Sequence, residues 1–319
     1  MTPPSQPVPR PTRRAHDPMD AGLGRRGLRG ERLAFGLAGI GGAWGPMDQG
    51  VARATLRRAV ELGIGCFDVA RSYGNSESLL GEVLAGWRGP RPVVSTKVGR
   101  LSGQDPHDEV FDFSPVGLRD SLARSLATLG LPAVDLLFLH EPDYVPPAER
   151  ARVVDTLRQF QADGLAHRLG LAGGHGRGWD GFIESGAFDV VQLFCRLDAC
   201  IFDGLAEDLP RVRRAGLATY GASPLHMGLL GSRHEEFLRA PPEWVWAAPR
   251  ARALRLRALA DRRGLTLPAL AHRFLFSVAE IDRVVIGART PAELEDAWAA
   301  WQAGPLPADV FAEVCAAQG

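Results

Sequence analysis

Gly65-Cys66-Phe67-Asp68-Val69-Ala70-Arg71-Ser72-Tyr73-Gly74-Asn75-Ser76-Glu77 is followed, one predicted helix later, by Val93-Val94-Ser95-Thr96-Lys97. An apolar run ends in a carboxylate, a phenol comes five residues on, and a second apolar run ends in an ammonium. As adjacent parallel strands, the two runs bring all three groups out at one end of one sheet. A lysine beside a phenol lowers the phenol's pKa, and a carboxylate behind the lysine steadies the cation. The expected device moves a proton at neutral pH.

Outward from this stretch, strand and helix patterns alternate. A short strand at 33–37 precedes a glycine-rich loop through Gly42, and Asp48 caps a helix to Leu62 that Gly63 stops. Strands at 64–68 and 92–97 flank a helix from Ser76 to about Ala85. A loop of about 16 residues then precedes Ser114-Pro115, a capping serine with proline at the first helical position. Leu118, Leu122, Leu126 and Leu129 mark that helix's buried face, and Gly130 ends it. The run 134–140 is apolar almost throughout, as a parallel strand covered on both sides requires, and it ends in His140. Further strands are expected at 168–172, 188–194, 217–222 and 283–286. Helices are expected at 147–163, 179–185, 204–215, 249–263, 267–278 and 291–302.

Eight such units without a composition break predict an α/β fold, a closed (β/α)8 TIM barrel spanning 21–319 as one domain. A doubly wound open sheet is the alternative. Two glycine triplets have dinucleotide-fingerprint spacing, Gly22-Gly24-Gly27 and Gly176-Gly178-Gly181, and neither lies directly between a strand and a helix. Residues 1–20 carry six prolines with Arg10, Arg13 and Arg14 and no apolar core, predicting a disordered tail rather than a secretion signal. A short hairpin is expected at 23–28. Zero formal net charge gives no case for nucleic acid or an anionic membrane, and no apolar run approaches the roughly 18 residues of a span. Four scattered cysteines read as reduced thiols suited to the cytoplasm, and neither they nor the eight histidines show metal-ligand spacing.

In isolation Asp68 is a turn cap, Tyr73 an interface aromatic, Lys97 a surface charge and His140 a satisfied histidine. Placement changes this reading: three close predicted strands two, three and four, and Tyr73 follows strand two. In a parallel barrel these positions share the rim where active sites are built. Asp-x-Ala-x-x-Tyr-Gly-Asn-Ser-Glu with Ser-Thr-Lys-Val-Gly resembles the aldo-keto reductase superfamily. By that resemblance Asp68, Tyr73, Lys97 and His140 are the catalytic four, and a nicotinamide dinucleotide lies across the rim without a Rossmann unit. Ala222-Ser223-Pro224-Leu225, with 111–114 and 241–244, is similar to the aldose 1-dehydrogenase branch. That branch oxidises C1 of L-galactose-, L-fucose- or D-arabinose-type sugars to a lactone.

The resemblance also implies cofactor positions, with departures. They are Gly36, Leu37, Ala38, Asp68, Ala172, Gly173, Gln192, Ala222, Ser223, Pro224, Leu225, Gly228, Ile286, Gly287, Arg289, Thr290, Glu293 and Asp296. Ala172-Gly173 stands where a serine-asparagine pair is usual, Leu37 where threonine is common, and Ala222 where many relatives have an aromatic. Glu293 would repel a 2′-phosphate, so NAD is expected, with Arg289 keeping NADP open. Trp44 and Arg71 join Tyr73 and His140 as expected substrate contacts. The expectation is a monomer or weak homodimer acting on a small aldose or aldehyde. Alternatives are an NADPH-dependent aldehyde or ketone reductase, a pyridoxal dehydrogenase, and a nicotinamide-binding redox sensor with slow turnover.

Overall fold

The structure, a computed structural model, describes residues 32–102 and 109–317. Its strands are β1 (Leu33–Gly36), β2 (Cys66–Asp68), β3 (Val93–Val98), β4 (Arg100–Ser102), β5 (Glu109–Phe111), β6 (Leu136–His140), β7 (Leu169–Ala172), β8 (Val190–Phe194), β9 (Ala218–Ala222) and β10 (Arg283–Gly287). Eight of them close a parallel barrel in the order β1-β10-β9-β8-β7-β6-β3-β2. This is the (β/α)8 architecture expected from the alternation, and the open sheet is set aside. The proline-rich tail, the 23–28 hairpin and the first glycine triplet lie outside the described residues.

The barrel has two apolar layers, as period-2 strands covered on both faces demand. Ala34, Cys66, Val93, Leu136, Phe138, Val190, Ala218, Tyr220 and Val285 fill the interior. Alternate residues such as Phe35, Phe67, Val94, Leu137 and Val191 pack against the surrounding helices. Local chemistry sets the helix ends. Ser114 accepts from the Gly117 amide at 3.1 Å with Pro115 opening the helix Pro115–Leu129, and Gly130 stops it at φ 65°. Asp48 caps the helix Gln49–Glu61 through the Val51 amide at 2.8 Å.

Several segments differ from the sequence reading, among them a helix His234–Arg239 in the stretch after β9. The 16-residue loop is not irregular throughout: β4 and β5 pair antiparallel within it. This hairpin leans on the β2 loop through Ser102 Oγ donating to the Arg71 carbonyl at 3.2 Å, and on Tyr144 through Phe111 stacked at 4.3 Å. The glycine-rich stretch after β1 forms one helical turn, Ala38–Gly41, and the chain adds a helix Ala308–Ala316 beyond the last one expected. Neither has a long apolar repeat to betray it. No helix among the described residues is long and apolar enough to cross a membrane.

Candidate active site

Counting by two along each strand leads from the barrel interior to the site. Cys66 and Asp68 share a face of β2. Val93, Ser95 and Lys97 share one on β3, and Leu136, Phe138 and His140 share one on β6. The register places Asp68 beside Ser95 and Lys97 beside Phe138. The last inward position of each strand is therefore polar, and the three sit together on the C-terminal rim. Tyr73 is held over them by a close approach between loops. The Asn75 amide donates to the Gly41 carbonyl at 2.9 Å, and a Cβ at Gly74 (φ 53°) would lie 2.2 Å from that carbonyl oxygen. Only glycine fits there.

The Lys97 side chain is fully buried, and its Nζ donates to Asp68 Oδ2 at 2.6 Å and to the Val69 carbonyl at 3.0 Å. Asp68 Oδ1 accepts from Ser95 Oγ at 2.6 Å, and Gln192 Nε2 lies 3.4 Å from Oδ2. Burial pulls the Lys97 ammonium down, but Asp68 and Tyr73 more than offset it, and its pKa lies above the usual lysine value. The ammonium is 4.7 Å from the centroid of the Tyr73 ring. The Tyr73 ring meets the His140 ring edge-on at 5.6 Å. Burial pushes the Tyr73 phenol up, and Lys97 opposes that rise without cancelling it. Tyr73 is therefore protonated at neutral pH, rather than poised as the phenolate that the sequence reading leaned toward. Burial, then Lys97 and Arg100, hold the His140 imidazolium well below the usual histidine value. His140 is neutral at pH 7, with Nδ1 3.3 Å from Ser72 Oγ.

A cleft of about 360 Å³ begins at Asp68, Tyr73 and Gln192 and runs across β1, β10 and β9 to Glu293 and Asp296. Of the positions taken from resemblance, Gly36, Ala38, Ala222, Ser223, Pro224 and Leu225 line it. So do Gly228, Ile286, Gly287 and Arg289, and Trp44 stands at its edge. Leu37, Ala172, Gly173 and Thr290 do not line it. Leu37 and Ala172 are buried, Gly173 has the Glu141 carboxylate where its own Cβ would stand, and Thr290 caps the helix Pro291–Ala303 through the Glu293 amide. Lys97 and His140 lie beneath and beside the cleft, reaching it through Tyr73 and Asp68. Arg71 is turned to Glu77 at 3.6 Å and is not part of the lining.

Several contributors were passed over in the sequence. Ser95 is two residues before Lys97 on the inward face, a parity signal that was available. Ser72 needed the His140 contact to be seen. Phe194 pairs in register with Ala222, and both line the cleft, so an aromatic face comes from β8 where the β9 slot lacks one. The non-glycine residues with left-handed φ among those described, Glu141, Cys195, Ser223, His226 and Met227, all lie in loops leaving the rim ends of β6, β8 and β9. Strain of this kind gathers at functional loops. Ligand-type atoms of Cys195, Asp198 and His226 lie within 4.8 Å of one another. Asp198 is spent on His226 Nδ1 at 2.9 Å and on the amides of Cys200 and Ile201, and burial keeps both nearby thiols protonated. That trio is a satisfied hydrogen-bond network. All four cysteines are reduced thiols.

The cleft fits an extended dinucleotide. Gly36, Gly228, Gly231 and Gly287 put bare backbone in its lining, and at Gly36 and Gly231 close packing forbids a side chain, since a Cβ would meet Val285 at 2.8 Å and Leu225 at 3.0 Å. The buried ring of His272 also lines it, beside the Pro268 carbonyl.

Residues 32–318 match the profile of the Aldo/keto reductase family. L-galactose dehydrogenase of Arabidopsis thaliana is 30% identical over 290 residues, covering 86% of this chain and 85% of its own length. D-threo-aldose 1-dehydrogenase of a Pseudomonas species is 28% identical over 319 residues, covering 92% and 95%. The structure of a glycerol dehydrogenase from Gluconobacter oxydans superposes with a TM-score of 0.75 at 23% identity, over 93% of this chain and 95% of that one. At that identity the likeness shows the fold alone.

Proposed function

The chain belongs to the aldo/keto reductase family, a family of oxidoreductases, and on that premise we propose that it oxidises the anomeric C1 of an aldose to a lactone with NAD. The observation that carries this reading is the buried Lys97–Asp68 pair beneath Tyr73, with neutral His140 beside the same phenol. A bound nicotinamide supplies the hydride chemistry, taking up hydride in oxidation and giving it in reduction. Tyr73 supports that exchange by moving the proton at the substrate oxygen. Lys97 limits how far burial raises the phenol, and Asp68 holds Lys97 in place. Ser72 Oγ lies 3.3 Å from His140 Nδ1, which leaves Nε2 to hydrogen-bond the reacting oxygen. Gln192 and the Phe194 ring, both in the lining, would hold the nicotinamide.

The aldose assignment draws on the two aldose-dehydrogenase relatives above and on the Trp44 face at the cleft edge. The NAD assignment rests on charge. Glu293 and Asp296 line the end remote from Tyr73, whereas Arg289 donates to the Pro46 carbonyl at 2.8 Å and Arg233 is paired with Glu236. Arg233 is neutralised by Glu236, Arg289 is turned toward the Pro46 carbonyl while its amide donates to Glu293 Oε2 at 2.7 Å, and the two carboxylates disfavour a 2′-phosphate. NAD is expected to exceed NADP by about tenfold or more in kcat/KM. Nicotinamide absorbance with L-galactose, L-fucose, D-arabinose, pyridoxal and a simple aldehyde tests both points. A response confined to NADPH with the aldehyde would overturn the aldose reading.

The raised phenol also fixes a pH dependence. Oxidation needs the phenolate as base, a minor species at pH 7, so its rate should rise about tenfold per pH unit from 7 to 9. Reduction uses the protonated form and should stay flat there. His140 is neutral throughout this range and adds no limb. An oxidation rate constant from pH 7 to 9 would remove Tyr73 as the base.

A further inference from the structure

In the loop after β9, Ser223, Pro224, Leu225, Met227 and Gly228 line the cleft. His226, in their midst, does not. Its ring is 2% exposed and reaches the loop after β8, where Nδ1 is 2.9 Å from Asp198 Oδ2. Asp198 is fully buried, and its Oδ1 accepts from the Cys200 amide at 2.8 Å and the Ile201 amide at 3.0 Å. A carboxylate only accepts, so Nδ1 carries the proton and donates it. The imidazole also meets the Trp244 ring at 6.3 Å, and Phe237 holds Trp244 edge-on at 5.3 Å.

The loop is one that needs an anchor. Ser223, His226 and Met227 have φ of 59°, 46° and 53°, left-handed values that are uncommon for any residue but glycine. Such conformations raise the energy of a loop and persist only where the surroundings fix them. Cys195 and Ser223 follow the register partners Phe194 and Ala222, and both are left-handed, so two neighbouring strands turn off the rim together. Bonds from the His226 amide to the Ser223 carbonyl and from the Gly228 amide to the Leu225 carbonyl, each 3.0 Å, close the turn on itself. They do not tie it to its neighbour. The Asp198–His226 bond does, and a hydrogen bond to an ionised acceptor is stronger than a neutral one.

We propose that Asp198 and His226 are a positioning pair that holds the 223–228 backbone as a fixed wall of the cleft, so that cofactor affinity, and not the chemical step, depends on their bond. For its ligand this rests on the nicotinamide-dinucleotide reading above. His226→Phe keeps a ring against Trp244 and removes the donor. The dissociation constant for NAD, followed by tryptophan fluorescence quenching, should rise about five- to tenfold, with kcat at saturating NAD and the most active of the sugars above within about twofold. Amide hydrogen exchange over 223–230 in the free protein should become about tenfold faster. His226→Gly takes the left-handed φ freely and also lacks the donor, so it should show the same losses and guards against strain or misfolding in the phenylalanine variant. His226→Asn visits the left-handed region and can donate from Nδ2, and should regain most of the affinity and the protection. Wild-type NAD affinity in the phenylalanine and glycine variants would overturn the proposal. So would an asparagine variant no better than glycine, or a fall in kcat as large as the loss of affinity. A wild-type chain that binds neither NAD nor NADP would overturn the dinucleotide reading instead. Exchange at 223–230 would then decide the pair's role: faster in phenylalanine and glycine and restored by asparagine upholds it, and unchanged overturns it.

Discussion

Tyr73→Phe should lower kcat by about 10²-fold or more while the dissociation constant for NAD stays within about twofold. The substitution removes one oxygen and leaves the ring against His140 and over the Lys97 ammonium, so packing is preserved. What disappears is the group that moves a proton at the substrate oxygen. His140 cannot replace it, because burial and the Lys97 and Arg100 charges hold that imidazole neutral far below neutral pH. Lys97 cannot replace it either. Its ammonium is pinned by Asp68 and the Val69 carbonyl, and its pKa lies above the ordinary lysine value. Loss of the alkaline rise in oxidation should accompany the loss of rate. Steady-state turnover, cofactor titration and the pH profile together check this, and a Tyr73→Phe enzyme with normal turnover would refute the proton-transfer role.

The same residues show how far the sequence could be read. Period-2 apolar strands, proline and serine caps and glycine stops led to the barrel because each is a local signal with a local cause. The helix Pro115–Leu129 begins and ends where Ser114, Pro115 and Gly130 direct. Asp68, Lys97 and His140 were legible as a set because each ends an apolar run, and a parallel barrel gathers strand ends on one rim. Ser72 and Phe194 were not legible, since their roles depend on what lies opposite them: a ring nitrogen and an alanine one strand over. Arg71 lay between two proposed catalytic positions in sequence, but Glu77 on the next helix draws its guanidinium aside. The hairpin in the long loop was hidden because a three-residue strand pair carries too few alternations to register. The direction of the Tyr73 shift was missed for a similar reason. A sequence shows that a cation is near, but the degree of burial that opposes it is a property of the folded rim.

Lys97→Met separates what the ion pair does for the fold from what it does for chemistry. Methionine approximates the volume of the lysine stem and fits the apolar surface beside Phe138, but it leaves Asp68, itself 4% exposed, as a carboxylate without its cation. Breaking a buried pair on one side costs about 3–5 kcal/mol, whereas neutralising both sides is often close to neutral. Lys97→Met should therefore lower the urea midpoint sharply. Lys97→Met with Asp68→Asn should regain most of it, because an asparagine carbonyl oxygen can still accept from Ser95 Oγ, which now bonds Oδ1 at 2.6 Å. Turnover should not return with stability. Without the ammonium nothing opposes the burial that raises the phenol, so the alkaline limb of oxidation moves to higher pH and kcat at pH 7 stays at least about 10²-fold down in both variants. If the double variant regained turnover along with its urea midpoint, Lys97 would be a structural cation whose charge the phenol does not feel, and the coupling of Asp68, Lys97 and Tyr73 would fall.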